Sequence, residues 1–97
     1  MMPRPRARDR IEELPTAGEL SAQIARIRRE GGDPAAILTH IREWRRFQAD
    51  PDFRKHWNGW PGGDETFDAV PVIITRDAGA PRVMATQAEL EEALLGA

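Results

Sequence analysis

From Val70 to Gly96 the chain reads Val-Pro-Val-Ile-Ile-Thr-Arg-Asp-Ala-Gly-Ala-Pro-Arg-Val-Met-Ala-Thr-Gln-Ala-Glu-Leu-Glu-Glu-Ala-Leu-Leu-Gly. Val72-Ile73-Ile74 is an unbroken apolar, β-branched run, the pattern of a strand covered on both faces. Asp77-Ala78-Gly79-Ala80-Pro81 has the residues of a hairpin turn, with a glycine free to take positive φ. Arg82 to Ala85 then predicts a short return strand. Thr86-Gln87-Ala88-Glu89 has capping-box form, in which the hydroxyl cap alone contributes about 1 kcal/mol. Behind it Leu90 and Leu94 form the seam of a final helix, with Ala93 and Leu95 beside them, and Gly96 ends it.

Towards the N-terminus, Thr16-Ala17-Gly18-Glu19 is a second capping box, followed by Leu20, Ile24 and Ile27 at helical spacing. Arg26, Arg28 and Arg29 fall in the last turn, where the helix dipole favours cations, and Gly31-Gly32 stops the helix. Asp33 as N-cap and Pro34 at the first helical position predict a second helix, its stripe Ile37, Ile41, Trp44 and Phe47 ending near Gln48. Two helices joined so briefly imply an antiparallel helical hairpin. Asp50-Pro51 predicts a short third helix carrying Phe53, His56 and Trp57, and Asn58-Gly59 opens a loop to about Phe67. All six aromatic residues lie between Trp44 and Phe67. No internal repeat is visible.

Ninety-seven residues, 40% apolar and 31% charged, suit one small globular domain. We expect residues 1–10 to be a Pro/Arg tail and residues 11–97 a single α+β domain. Cysteine is absent, which removes disulfides and thiolate metal sites and fits a reducing cytoplasm. No apolar run is long enough for a transmembrane span or a secretory signal. The net charge of −2 conceals an asymmetry: residues 1–60 hold 12 basic and 9 acidic side chains, residues 61–97 hold 2 and 7. Arginine supplies 13 of the 14 basic residues.

Catalytic chemistry finds few candidates. The one serine, Ser21, sits early in a predicted helix with no histidine near it in sequence. His40 and His56 fall on separate elements without a metal-ligand spacing. Neither catalytic residues nor a cofactor or metal site is assigned, and the expected function is non-enzymatic. Arg42, Arg45 and Arg46 stand i, i+3, i+4 on one helix face. Together with Arg26 and Arg29 across the helical hairpin they are the candidate nucleic-acid contacts, unless Glu30, Glu43 or Asp50 pairs with them in a solvated face. Trp57, Trp60 and Phe67 are the candidate partner-binding residues. Trp44 belongs to the core, whereas Trp60, flanked by turn formers, is the tryptophan most open to a partner.

Pro71-Val72-Ile73-Ile74-Thr75-Arg76, the turn at Gly79, Pro81-Arg82-Val83-Met84-Ala85 and Glu89-Leu90 resemble the hairpin and following helix of the prevent-host-death (Phd/YefM) antitoxin family. Two predicted helices precede that unit, as in the family's α-α-β-β-α order. The resemblance covers about a quarter of the chain. It implies a homodimer that binds operator DNA and neutralises a protein toxin. The Pro51–Phe67 segment has no counterpart in the family pattern, and on this reading toxin binding is expected on the Trp57–Phe67 segment. A second likeness, to the back half of a thioredoxin fold, places a cis Val70-Pro71 peptide at the head of the hairpin. A trans peptide there, together with the absence of an N-terminal βαβ unit, excludes it.

The expected fold is therefore an N-terminal helical hairpin, a short third helix with an aromatic-rich loop, a two-stranded antiparallel hairpin and a C-terminal helix. Since a lone two-stranded sheet is marginal in water, either the helices cover it or a second copy extends it through an exposed edge, the second being the route to a homodimer. The expected function is an antitoxin-like regulator that binds a protein partner and operator DNA. The competing expectation is an interaction or accessory protein without nucleic-acid binding, docking through Trp57–Phe67.

Overall fold

A computed structural model describes residues 14–59 and 64–95. The element order is α1 (Ala17–Arg29), β1 (Ala36–Thr39), α2 (Ile41–Phe47), a 3-10 turn (Phe53–Lys55), β2 (Trp57–Gly59), β3 (Glu65–Phe67), β4 (Val70–Ile74), β5 (Arg82–Met84) and α3 (Gln87–Leu95). The strands form one mixed sheet in the order β2-β3-β4-β1-β5. The α+β class holds, and the layout within it is different from the expected one. Residues 1–13, with the expected tail, and Trp60 lie outside the described residues.

The largest difference lies at residues 34–48. The expected second helix is divided: Ala36-Ile37-Leu38-Thr39 is a strand, and only Ile41–Phe47 is helical. Strand β1 runs parallel to β4, with Ile37 beside Val72, and antiparallel to β5, with Ile37 beside Val83. β4 and β5 consequently flank β1 and do not pair as a hairpin. The helical hairpin of α1 and α2 is likewise absent, because β1 intervenes. The physical cause is that β1 satisfies its backbone on both sides and buries every side chain, which a helix at this position cannot do with one apolar stripe. The five-stranded sheet also removes the need for a second copy to complete it.

The expected loop after Asn58 contains further strands. β2 pairs with β3 and β3 with β4, both antiparallel. Asp68 and Ala69 alone link Phe67 to Val70, with φ of 51° and 67°, the two positive values of a type I′ hairpin turn. The expected third helix shrinks to the 3-10 turn at Phe53–Lys55. Gly79 is not among the positive-φ residues. Its carbonyl instead accepts the His40 N–H and the Thr39 hydroxyl, both at 3.0 Å, holding the β4–β5 connection over the end of β1. No peptide bond among the described residues is cis, so Val70-Pro71 is trans, against the thioredoxin likeness.

The ends of α1 and the start of α3 follow the sequence closely, whereas Asp33 and Pro34 do not start a helix and α2 is capped by His40; the expected stop at Gly96 lies outside the described residues. Thr16 and Glu19 form the complete capping box of α1. Its C-terminus is a Schellman motif: Gly31, at φ 90°, donates to Arg28 O and Gly32 to Ile27 O. At α3 the Thr86 hydroxyl accepts from Glu89 N–H, while the Glu89 carboxylate reaches Ala85 N–H, one residue before the cap.

Alternation along the strands divides the core. Ile37, Val70, Val72, Phe67 and Val83 pack with α1, α2 and the 3-10 turn; Ala36, Leu38, Ile73 and Met84 pack with Leu90 and Ala93 of α3. The sheet thus carries α1 and α2 on one face and α3 on the other. On the larger face Trp44, Phe47, Phe53, Trp57 and Phe67 form one aromatic cluster, with ring centroids 5.3–6.1 Å apart. The aromatic-rich segment is therefore mainly core.

Candidate functional site

The candidate partner residues separate in the structure. Phe67 is completely buried, which removes it from any surface role. Trp57 is half-buried against Phe53, and its indole N–H donates to Glu65 Oε1 at 2.9 Å. The buried Trp44 indole donates to the same oxygen at 3.1 Å. One carboxylate oxygen thereby holds both tryptophans, and the Trp57 ring is fixed with its polar edge already occupied. Only its apolar surface remains for a ligand.

All five candidate nucleic-acid arginines are exposed. Arg26 and Arg29 are on α1, lining a shallow depression with Pro15, Glu19, Ala22 and Gln23. Arg42, Arg45 and Arg46 are on α2. Both helices cover the same face of the sheet, so the arginines share a side of the molecule without the expected helical hairpin. Among the described residues no arginine forms an ion pair; Lys55 pairs with Asp52, and His40 and His56 stand beside Glu43 and Asp68, contacts that are ionic only with a protonated imidazole.

Of the carboxylates that the sequence offered as arginine partners, Glu43 and Asp50 are engaged elsewhere, and Glu30, exposed at the end of α1, forms no ion pair among the described residues. Glu43 is buried, with Oε1 3.3 Å from His40 Nδ1. That nitrogen also accepts the Arg42 N–H at 3.0 Å and so caps α2. Asp50 accepts from Ala17 N–H at 2.9 Å and from Asp52 N–H at 2.8 Å. These two donors, in that order, hold its carboxyl below the usual range, with the nearby His56 adding a smaller effect in the same direction.

At the end of α2 the basic face meets an aromatic hollow. Gln48, Phe53, Arg54 and Trp57 line a cavity of about 460 Å³. Gln48 stands three residues after Arg45, so the two side chains neighbour each other on the helix surface. Arg54 projects from the 3-10 turn and is exposed. In the sequence the arginines and the tryptophan are separate features. The fold brings Arg45, Gln48, Arg54 and Trp57 onto one surface. Gln48 and Arg54 carried no signal in the sequence, because their value depends on the 3-10 turn that folds Phe53 and Trp57 back beside α2.

No protein-family model, curated protein or solved structure matches this chain.

A second polar cluster lies under the β3–β4 turn. Asp68 accepts from the Ser21 hydroxyl and pairs with His56 Nδ1 at 2.9 Å, while its carbonyl accepts from the Arg28 guanidinium at 2.8 Å. Here the carboxylate lies between serine and histidine, whereas nucleophilic catalysis needs the histidine beside the serine. The cluster pins the turn to α1 and the 3-10 turn. Among the described residues no group of three or more His, Asp or Glu side chains is placed to hold a metal ion, and no helix is long and apolar enough to cross a membrane.

Proposed function

We propose that this chain is a non-enzymatic, nucleic-acid-contacting regulator whose working surface is the outer side of α2 and the 3-10 turn. One observation carries the reading: Arg42, Arg45, Arg46 and Arg54 are exposed and have no ion-pair partner among the described residues. Unpaired arginines on adjacent turns suit a row of phosphates, each contact releasing counterions and making affinity fall with salt. Residues 70–95 resemble an antitoxin hairpin and helix in sequence, but β4 and β5 do not pair as a hairpin. With β1 between β4 and β5, the arginine surface is the support for the antitoxin-like form of this proposal. A toxin partner would be recognised through the surface around Trp57.

The test is fluorescence anisotropy with labelled single- and double-stranded DNA at low and moderate salt. Binding that weakens steeply with salt, and is lost in Arg42→Ala/Arg45→Ala/Arg46→Ala, is the expected result. Absence of binding to a folded sample at low salt rejects the reading. The second reading, a protein-docking module without a nucleic-acid role, is favoured by the place of β2 at the edge of the sheet, with no strand beyond it among the described residues, an edge to which a partner strand can add. A pull-down from the native cell separates the two: a toxic, ribonuclease-like partner supports the antitoxin form, and a metabolic or structural complex supports the docking module.

A further inference from the structure

We propose that the hollow between α2 and β2 is a base-binding pocket, so that the nucleic acid this surface prefers is single-stranded. The inference rests on the nucleic-acid reading above and specifies what the arginine surface alone leaves open. A row of arginines attracts any polyanion, but the cavity at its end is built from different chemistry. The Trp57 ring, backed by the buried Phe53, supplies apolar aromatic surface, Gln48 an amide that both donates and accepts, and Arg54 a planar cation. At about 460 Å³ the cavity lies within the 300–1,000 Å³ range of small-ligand sites.

Three features select a nucleobase as occupant. Trp57 presents ring surface only, because Glu65 already takes its N–H, and stacking needs no more than a ring face. Gln48 is exposed at the rim, where an amide can meet the donor and acceptor edge of a base. Arg45 is one helical turn before Gln48, and neither Arg45 nor Arg54 is in an ion pair among the described residues, so both are available to phosphates flanking an inserted base. An acidic peptide would satisfy the arginines and leave the aromatic surface unused. A base in a duplex must first be unpaired and unstacked at a cost of a few kcal/mol, so the pocket favours an unpaired strand.

The experiment compares four labelled probes by anisotropy at low salt: a short single-stranded oligonucleotide, an abasic strand of equal length, the corresponding duplex and polyglutamate. The single strand is expected to bind about tenfold or more tightly than the abasic strand, the loss anticipated for one stacked base. Gln48→Ala and Arg54→Ala, both at exposed positions, should shrink that preference, with circular dichroism unchanged. Trp57→Phe, which keeps a ring but gives up the Glu65 bond, should retain more of the preference than Trp57→Leu. Equal affinity for normal and abasic strands overturns the pocket and leaves the arginine surface standing. Tighter binding of the duplex also overturns it, in favour of an operator-type contact. Polyglutamate binding as well as the single strand reduces the site to charge alone and overturns it too. If no nucleic acid binds, the pocket and the reading beneath it fall together.

Discussion

Ala69 holds φ at 67° without being glycine, in a two-residue turn whose other member, Asp68, is at 51°. The left-handed region costs a non-glycine residue roughly 1–2 kcal/mol. Asp68 tolerates it better than most residues and is held there by Ser21, His56 and Arg28. Ala69 has no such bonds. Ala69→Gly should therefore stabilise the fold by about 0.5–1 kcal/mol after the greater freedom of glycine in the unfolded chain is counted. Ala69→Val should destabilise it, and urea titration of both variants checks the pair. Glu65 is the opposite kind of residue, one oxygen serving two indoles. Glu65→Leu strands the Trp44 N–H in the core and should cost about 2–3 kcal/mol, whereas Glu65→Gln keeps an acceptor and should cost about 1 kcal/mol. Equal losses in denaturant midpoint for the two variants would contradict the shared-acceptor geometry.

Elements show where sequence reading succeeded and where physics withheld the answer. The ends of α1 were legible because caps are local: Thr16, Glu19 and Gly31 act within one turn of themselves. The range of α3 was legible for the same reason. β1 was not, since Ile37, Ile41, Trp44 and Phe47 fit a helical stripe and Ala36–Thr39 equally fits a short buried strand. Periodicity alone does not separate the two, and the deciding bonds come from β4 and β5, more than thirty residues away. The β3–β4 hairpin was hidden because its turn is Asp-Ala rather than Asp-Gly. For the candidate site, the basic face was legible and the pocket beside it was not. Leu38 provides the discriminating measurement. It lies off the helical stripe yet is 2% exposed between β4 and β5, so Leu38→Ala should cost about 2–5 kcal/mol; near-neutral behaviour would restore the helix. The contact between α1 and the segment after α2 gives a pH test. The folded pKa of Asp50 is lowered, chiefly by the Ala17 N–H, so its contribution is complete above the unfolded value of about 3.9 and is lost as pH falls through the folded one. Asp50→Asn should weaken the protein at neutral pH and flatten the acid limb of its stability profile below about pH 4. Parallel acid limbs in the two proteins would assign that slope to other carboxylates.

Across the whole molecule the charge asymmetry of the sequence becomes a polarity of faces. Arg26, Arg28 and Arg29 on α1 and Arg42, Arg45 and Arg46 on α2 lie on one side of the sheet; Glu89, Glu91 and Glu92 on α3, which has no basic residue, lie on the other. The molecule measures 28 Å in its thinnest direction, and the Debye length at physiological salt is about 8 Å. A polyanion on the arginine side is therefore largely screened from the α3 acids, and a net charge of −2 does not oppose local binding. Three or four phosphate contacts on a single strand should give a slope of log K against log salt of about −2 to −3. Arg45→Ala should reduce the magnitude of that slope by about 0.7, the share of one contact. Glu91→Gln/Glu92→Gln, on the far face, should leave both slope and affinity nearly unchanged at physiological salt. If the α3 variants altered binding as much as Arg45→Ala did, net charge rather than the α2 surface would govern the interaction. A slope reduced by the arginine change alone locates the contact on α2, next to the hollow that Trp57 and Gln48 enclose.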